Sequence, residues 1–365
     1  MAPTPATLPM APAKTRVLIV DDSAVVRSLL TRELSRDGTI EVVGTAPDPF
    51  VARDKILELN PEVLTLDVEM PRMDGITFLR RLMQFRPMPV IVLSSLTAQG
   101  TTTAIEAMEA GAVEVLCKPG SAYSVENMAA ELIRKIKLAA RAHVHAAPRL
   151  AQGGAPTGGG LRTPAPLVTT DKILAIGAST GGVQALTAVL TAFPADAPGT
   201  VIVQHMPAKF TKSFAERLDT LCHVRVKEAA DGDGVYTGQV LIAPGGRHMV
   251  LRRSGARYYV ELQDGPEMFH QKPSVEVLFN AVAQNAGRNA VGAILTGMGE
   301  DGAGGLLAMR RAGARTIAQD EKSSTVFGMP AAALKCGGAE NAVPLDNVAR
   351  IMLHLAAGID ARQPA

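Results

Sequence analysis

The chain alternates short apolar runs with stretches of helical period. In its first third the runs are "RVLIV" at 16–20, "IEVVG" at 40–44, "EVLTL" at 62–66, "VIVLS" at 90–94 and "VEVLC" at 113–117. They read as strands buried on both faces. Helical patterns lie between them. One is Ser23 to Ser35, with Ser23 as N-cap and Val25, Val26, Leu29 and Leu30 on one face. Repeated strand–helix units predict a doubly wound parallel sheet. A second series begins at "KILAIG" (172–177) and continues through "TVIVQ", "QVLIAPG", "HMVLRR", "RYYVEL", "AVGAILTG" and "RTIAQ". Its middle strands read as hairpin-like and interrupt an otherwise parallel α/β pattern. The fold class expected is α/β, with two domains that are each a doubly wound, mainly parallel sheet.

The two series are separated by "HVHAAPRLAQGGAPTGGGLRTPAPLVTT", rich in Ala, Gly and Pro. No carboxylate occurs from Leu132 to Thr170. Such a composition buries no core and predicts a flexible linker. The expected division is a disordered tail at 1–14, a first domain at 15–135, a linker at 136–167 and a second domain at 168–358. A length of 365 residues suits two domains. The formal net charge of +2 gives no argument for nucleic acid or an anionic membrane as partner. Cys117, Cys222 and Cys336 are too scattered for a disulfide framework or a zinc site, which suits a reducing compartment. No apolar run approaches the roughly 18–20 residues that span a bilayer. The N-terminus carries four prolines and no continuous apolar core, unlike a secretory signal. A cytoplasmic protein is expected.

Candidate chemistry gathers at strand ends. Asp21 and Asp22 end the first strand, Asp67 the third, Ser94 the fourth and Lys118 the fifth. Open parallel sheets place their sites at these carboxyl ends. Three converging carboxylates repel and call for a divalent cation, and an all-oxygen set suits Mg²⁺. Lys118 supplies a countercharge for a phosphoryl group, and the Ser94 hydroxyl a hydrogen bond. Asp67 is then a carboxylate nucleophile that accepts phosphate.

"VLIVDDSAVVR", "LDVEMPRMDG" and "VLCKPG" resemble the receiver domain of bacterial response regulators. The resemblance implies a flavodoxin-like fold and transfer of phosphate to Asp67 from a histidine kinase. It implies that Asp21, Asp22, Asp67 and the backbone carbonyl of Glu69 hold Mg²⁺, and that Ser94 and Lys118 sense the phosphoryl group. Receivers commonly carry an aromatic switch residue where this chain has Val115.

In the second half, "GASTGG" (177–182) follows a strand and opens a helix. It lacks the second glycine of a dinucleotide fingerprint and the lysine of a phosphate-binding loop. It does match G-x-S-x-G, the sharp turn that presents a serine. The helix N-terminus offers N–H groups where an oxyanion would form. His205 ends the next strand and is placed as a base for Ser179. Asp301, after "AVGAILTG", is placed as the orienter, with the adjacent Glu300 as the alternative acid. His248 and His270, near irregular segments, are candidate substrate contacts.

"GASTGGVQAL", "QHMPAKFTKSFAERLD", "VLIAPGGRHM", "KPSVEVLF" and "LTGMGEDGAGG" resemble the chemotaxis protein-glutamate methylesterases, the CheB family. The resemblance implies a Rossmann-like esterase domain with a Ser179–His205–Asp301 triad and no cofactor in that half. Thr180 and Met298 would supply the oxyanion N–H groups. Substrates would be glutamyl γ-methyl esters, and certain glutamines, on chemoreceptors, with a chemotaxis kinase as phosphodonor. An esterase acting on another methylated signalling protein is the alternative output. A phosphorylation-gated monomer is expected, with no nucleic-acid partner and no membrane insertion.

Overall fold

The computed structural model describes residues 14–70, 73–94, 97–118, 125–142, 144 and 171–358. The first domain runs β1 (Thr15–Val20), α1 (Ala24–Leu34), β2 (Ile40–Ala46), α2 (Pro49–Leu59), β3 (Val63–Asp67), α3 (Gly75–Phe85), β4 (Val90–Ser94), α4 (Ala98–Glu109), β5 (Glu114–Cys117) and α5 (Val125–Ala139). All pairings are parallel, in the order β2-β1-β3-β4-β5. This is the flavodoxin-like order. Strand alternation divides the core. Val17, Ile19, Val63 and Ile91 face α1 and α5, where they meet Leu30, Leu34, Leu132 and Ile136. Leu18, Leu64, Leu66 and Val92 face the other side, with Ile56, Leu79 and Ile105. Both sheet faces are covered, which is why the strands read as nearly continuous apolar runs.

Two local expectations are corrected. Ser23 does cap α1, accepting from Val26 N–H. However, Val25 is 76% exposed, and the buried face is Leu30, Glu33 and Leu34. A 100° step per residue aligns Val26 with Leu30 and Glu33, and it turns Val25 outward. The second correction concerns the linker. α5 runs to Ala139, and Ile136 and Ala139 are buried against the sheet. Residues 136–139 therefore belong to the first domain, because the carboxylate-free composition begins inside a helix that keeps its apolar period. Residues 1–13 of the expected tail, and 143 and 145–167 of the expected linker, lie outside the described residues.

The second domain runs β6 (Ile173–Ala178), α6 (Gly182–Thr191), β7 (Gly199–Gln204), α7 (Phe210–Leu221), β8 (Arg225–Glu228), β9 (Gln239–Ile242), β10 (His248–Ser254), β11 (Arg257–Gln263), α8 (Val275–Asn285), β12 (Ala290–Ile294), α9 (Ala303–Arg311), β13 (Arg315–Gln319), α10 (Met329–Lys335), β14 (Asn341–Val343) and α11 (Leu345–Ala356). Its parallel sheet has the order β14-β13-β12-β6-β7-β9-β8, with β10–β11 as a separate antiparallel hairpin. "QVLI" is thus a parallel strand, not part of the hairpin region. The edge strands β8 and β14 were not legible in the pattern. "RVKE" alternates charge with apolar character, and "NAV" is only three residues long. The chain moves from β6 to β7 on one side, and β12 returns beside β6 on the other. A crevice opens at that switch point, at the carboxyl ends of the strands.

The domains meet where α4 lies against α6 and α7. Gln184 Nε2 donates to Met108 C=O at 2.6 Å. The Arg217 guanidinium forks onto Glu109 at 2.9 and 3.2 Å. Ser213 Oγ donates to Thr101 Oγ1 at 3.2 Å. Apolar packing accompanies these contacts, with Ala107 and Met108 of α4 in one buried cluster with Val183 and Leu186 of α6 and Phe214 of α7. Among the described residues, no helix is long and apolar enough to cross a membrane.

Candidate active site

Register brings the serine and histidine together. Ala178 pairs with Gln204 across β6 and β7. Ser179 and His205 are therefore the next residues on neighbouring strands, and His205 N–H donates to Ala178 C=O at 3.1 Å. On the other side, Ser179 N–H donates to Thr296 C=O, beyond β12, at 3.0 Å. The turn requires its glycines. Gly181 has φ +78°, and a Cβ on Gly182 would come within 2.0 Å of Gln204 Oε1. The buried Gln204 donates through Nε2 to Ser179 C=O at 2.9 Å and to His205 C=O at 3.1 Å. It ties the two backbones together, a role that the sequence marks only as a polar residue ending an apolar strand.

His205 Nε2 lies 2.7 Å from Asp301 Oδ2, and both side chains are buried. Asp301 does not cap its own helix, since Gly302 is the N-cap of α9. It sits instead on the N-terminus of α8. It accepts from Ser274 Oγ at 2.7 Å, Val275 N–H at 2.8 Å and Glu276 N–H at 3.0 Å. Free N–H groups and the helix dipole favour an anion there. Burial by itself pushes the Asp301 carboxyl up. The hydrogen bonds from His205, Ser274 and Glu276 outweigh burial and hold it below the usual carboxylate value. Glu300, the alternative acid, is exposed and makes no hydrogen bond to the ring.

His205 Nδ1 is buried and has no hydrogen-bond partner among the described residues. The ring is turned so that Nε2, not Nδ1, faces the acid. No hydrogen bond joins Nδ1 to Ser179, which is 8% exposed. Ser179, Thr180, His205 and Met298 share a cleft of about 770 Å³. Among the described residues, the N–H groups of Thr180 and Met298 have no acceptor.

The first domain forms part of the cleft wall. Glu114 Oε2 accepts from Thr180 Oγ1 at 3.1 Å and pairs with Lys135 Nζ at 3.2 Å. A carboxylate from one domain thus touches the residue after Ser179. Cys117 lies on the same wall but is no rival nucleophile. Burial, reinforced by Glu131, pushes its thiol up to about 11. His270 lines the cleft, whereas His248 is buried away from it with both ring nitrogens engaged.

The acid cluster forms at the carboxyl ends of β1 and β3. Asp21, Asp22 and Asp67 bring carboxylate oxygens within 4.8 Å of one another. Lys118 Nζ contacts Asp67 Oδ2 at 2.5 Å and Asp21 Oδ2 at 3.2 Å. The latter is an ion contact only, since Asp21 Oδ2 is buried without a hydrogen bond. Burial pushes the Asp21 carboxyl up against the opposing pull of Lys118. Burial also works against the Lys118 charge, but its contacts with Asp67 and Asp21 prevail and raise its value. A buried, under-satisfied carboxylate beside two others fits a hard divalent cation such as Mg²⁺. Glu69 N–H donates to Asp67 Oδ1 at 2.9 Å. The buried Ser94 donates to Gly100 C=O, in the first turn of α4, at 2.8 Å.

Residues 174–352 match the family model for CheB methylesterase, and residues 17–130 match that for the response regulator receiver domain. A protein-glutamate methylesterase/protein-glutamine glutaminase of Syntrophus aciditrophicus is 55% identical over 337 residues, covering 92% of this chain and 98% of its own. A relative of the same description from Anaeromyxobacter dehalogenans is 57% identical over 346 residues, covering 94% and 96%. The chain belongs to the protein-glutamate methylesterase/protein-glutamine glutaminase family. The crystal structure of the Thermotoga maritima CheB methylesterase catalytic domain is 36% identical, with a TM-score of 0.49, and covers 50% of this chain and 98% of that one.

In this family member, the described parts of the receiver motifs fall at β1, β3 and β5, and the methylesterase motifs at β6, β7, β9–β10, α8 and the turn after β12. Sequence reasoning missed three residues that support the site: Ser274, Gln204 and Glu114. Pro273-Ser274 before an apolar helix is a readable N-cap signal. Nothing in the sequence says that Asp301 sits on that same helix end.

Proposed function

We propose that the chain is a phosphorylation-activated protein-glutamate methylesterase. It hydrolyses glutamyl γ-methyl esters on chemoreceptors and deamidates selected receptor glutamines. The observation that carries this reading is the buried Asp301–His205 pair, whose histidine lines one cleft with Ser179. Ser179 Oγ attacks the ester carbonyl while His205 Nδ1 takes its proton, with Asp301 stabilising the imidazolium through Nε2. The N–H groups of Thr180 and Met298 receive the oxyanion. The tetrahedral adduct expels methanol, or ammonia from a glutamine, which carries away the proton from His205. Water then attacks the acyl-serine with His205 again as base. Glutamate is released and Ser179 regains its proton.

In the receiver, Asp67 accepts the phosphoryl group from a kinase phosphohistidine: a P–O bond forms as the P–N bond breaks. Asp21, Asp22 and Asp67, with the Glu69 carbonyl, would hold Mg²⁺. The bound ion supplies charge neutralisation for the phosphoryl oxygens. Lys118 and Ser94 then turn toward the new group. Ser94 releases Gly100 C=O at one end of α4, whose other end carries Met108 and Glu109 against the methylesterase domain. Val115 leaves this relay without an aromatic switch, so α4 carries it. Undocking removes Glu114 from Thr180 and opens the cleft.

Methanol release from methylated receptor membranes tests the esterase half. Ser179→Ala abolishes it on this account, whereas retained turnover would place the nucleophile elsewhere.

A further inference from the structure

His248 opens β10 and is 4% exposed. Its Nε2 lies 2.9 Å from Pro266 C=O, and its Nδ1 lies 3.2 Å from Ser274 N. A carbonyl only accepts and an amide N–H only donates. The ring is therefore the neutral tautomer with its proton on Nε2.

Each end of the ring leads to the catalytic cleft by a different route. Pro266 belongs to the segment 264–273, which connects β11 to α8. The tip of this segment is a narrow turn in which Met268 and Gln271 exchange backbone hydrogen bonds at 3.1 and 2.9 Å. Phe269 and His270 adopt left-handed backbone angles, φ 52° and 59°. Such strain persists only where surrounding contacts hold it. Glu267, Phe269 and His270 line the cleft, and Phe269 is 45% exposed there. At the other end, Ser274 caps α8, and its hydroxyl donates to Asp301 Oδ1.

We propose that His248 is a positioning residue that locks the substrate-facing wall at 264–273 to the seat of Asp301. The donor nitrogen holds the wall and the acceptor nitrogen holds the acid's helix end. The proposal rests on reading the cleft as a methylesterase site.

The two ends separate by substitution in the full chain, assayed by methanol release. His248→Asn keeps an acceptor near the Nδ1 position and loses the donor at Nε2. KM rises about tenfold while kcat stays within about threefold of wild type. His248→Gln keeps a donor near Nε2 and loses the acceptor. Here kcat falls about 10–100-fold with KM little changed, the scale expected of a displaced catalytic group. If both variants lower kcat and raise KM together in step with lost thermal stability, or if neither changes them, the proposal is overturned. A readout independent of variant folding is the ring ¹⁵N NMR signature of the wild-type chain. Protonated Nε2 with bare Nδ1 is expected at neutral pH, and a proton on Nδ1 overturns the clamp. Wild-type protein that releases no methanol would sink the methylesterase reading, and the ring tautomer would still decide the clamp.

Discussion

Asp301 Oδ2 receives His205 Nε2 and Val275 N–H, while Oδ1 receives Ser274 Oγ and Glu276 N–H. One carboxylate thus orients the His205 ring, the base of the proposed mechanism, and neutralises a helix end. The two tasks have different consequences when it is changed. Asp301→Asn puts an NH₂ group among donors, so at least one buried donor loses its acceptor. That costs about 1–3 kcal/mol of stability. The imidazole also loses its partner for the charged state, which lowers kcat by about 10⁴ in triads of this type. Thermal melts and methanol release read the two effects separately. An unchanged melting temperature would contradict the seat on α8.

At the scale of elements, α5 is fastened to the turn after α1 by Lys137 Nζ on Asp37 Oδ2 at 2.7 Å. Hydrogen bonding from Lys137, then from Thr39, draws the Asp37 carboxyl from 3.8 down to about 2. Because the folded value lies below the unfolded one, this contribution is present above about pH 4 and disappears as pH falls toward 2. Wild-type melting temperature should therefore decline more steeply over that window than that of Asp37→Asn. Parallel declines would show that the clasp carries no linkage. Asp37 and Lys137 are a hundred residues apart, and no sequence pattern pairs them. The β-strands of both cores were legible because burial on both faces leaves continuous apolar runs, as in "VIVLS" and "KILAIG". The strand-end residues Asp67, Lys118, Ser179 and His205 were legible for the same reason, since a polar residue closing such a run marks the functional edge of the sheet. The extent of α5 was hidden, because loss of carboxylates begins at Leu132 while the apolar period continues to Ala139. Glu114 was hidden too. A strand glutamate looks like a surface position until the neighbouring domain covers it.

At the scale of the whole molecule, the receiver reaches the cleft through Glu114 and grips α6 and α7 through α4. The Arg217–Glu109 pair is partly exposed, and such pairs contribute about 0.2–1 kcal/mol. Arg217→Ala should therefore raise the unphosphorylated esterase rate by about 1.4-fold to fivefold, without changing the rate of the phosphorylated enzyme. An unaltered basal rate would mean that this contact does not hold the closed arrangement. The interface combines these polar contacts with apolar packing that joins α4 to the second domain's core, and in the proposed function opening is a redistribution between docked and separated states. In the proposed function, one chain couples phosphate on Asp67 to ester hydrolysis at Ser179. The most direct measurement is methanol release from methylated receptor membranes by wild type and Asp67→Asn, each with and without beryllofluoride and Mg²⁺. A higher rate is expected of the treated wild type, and no response from Asp67→Asn. Equal rates for the wild type with and without the phosphate analogue would contradict the coupling.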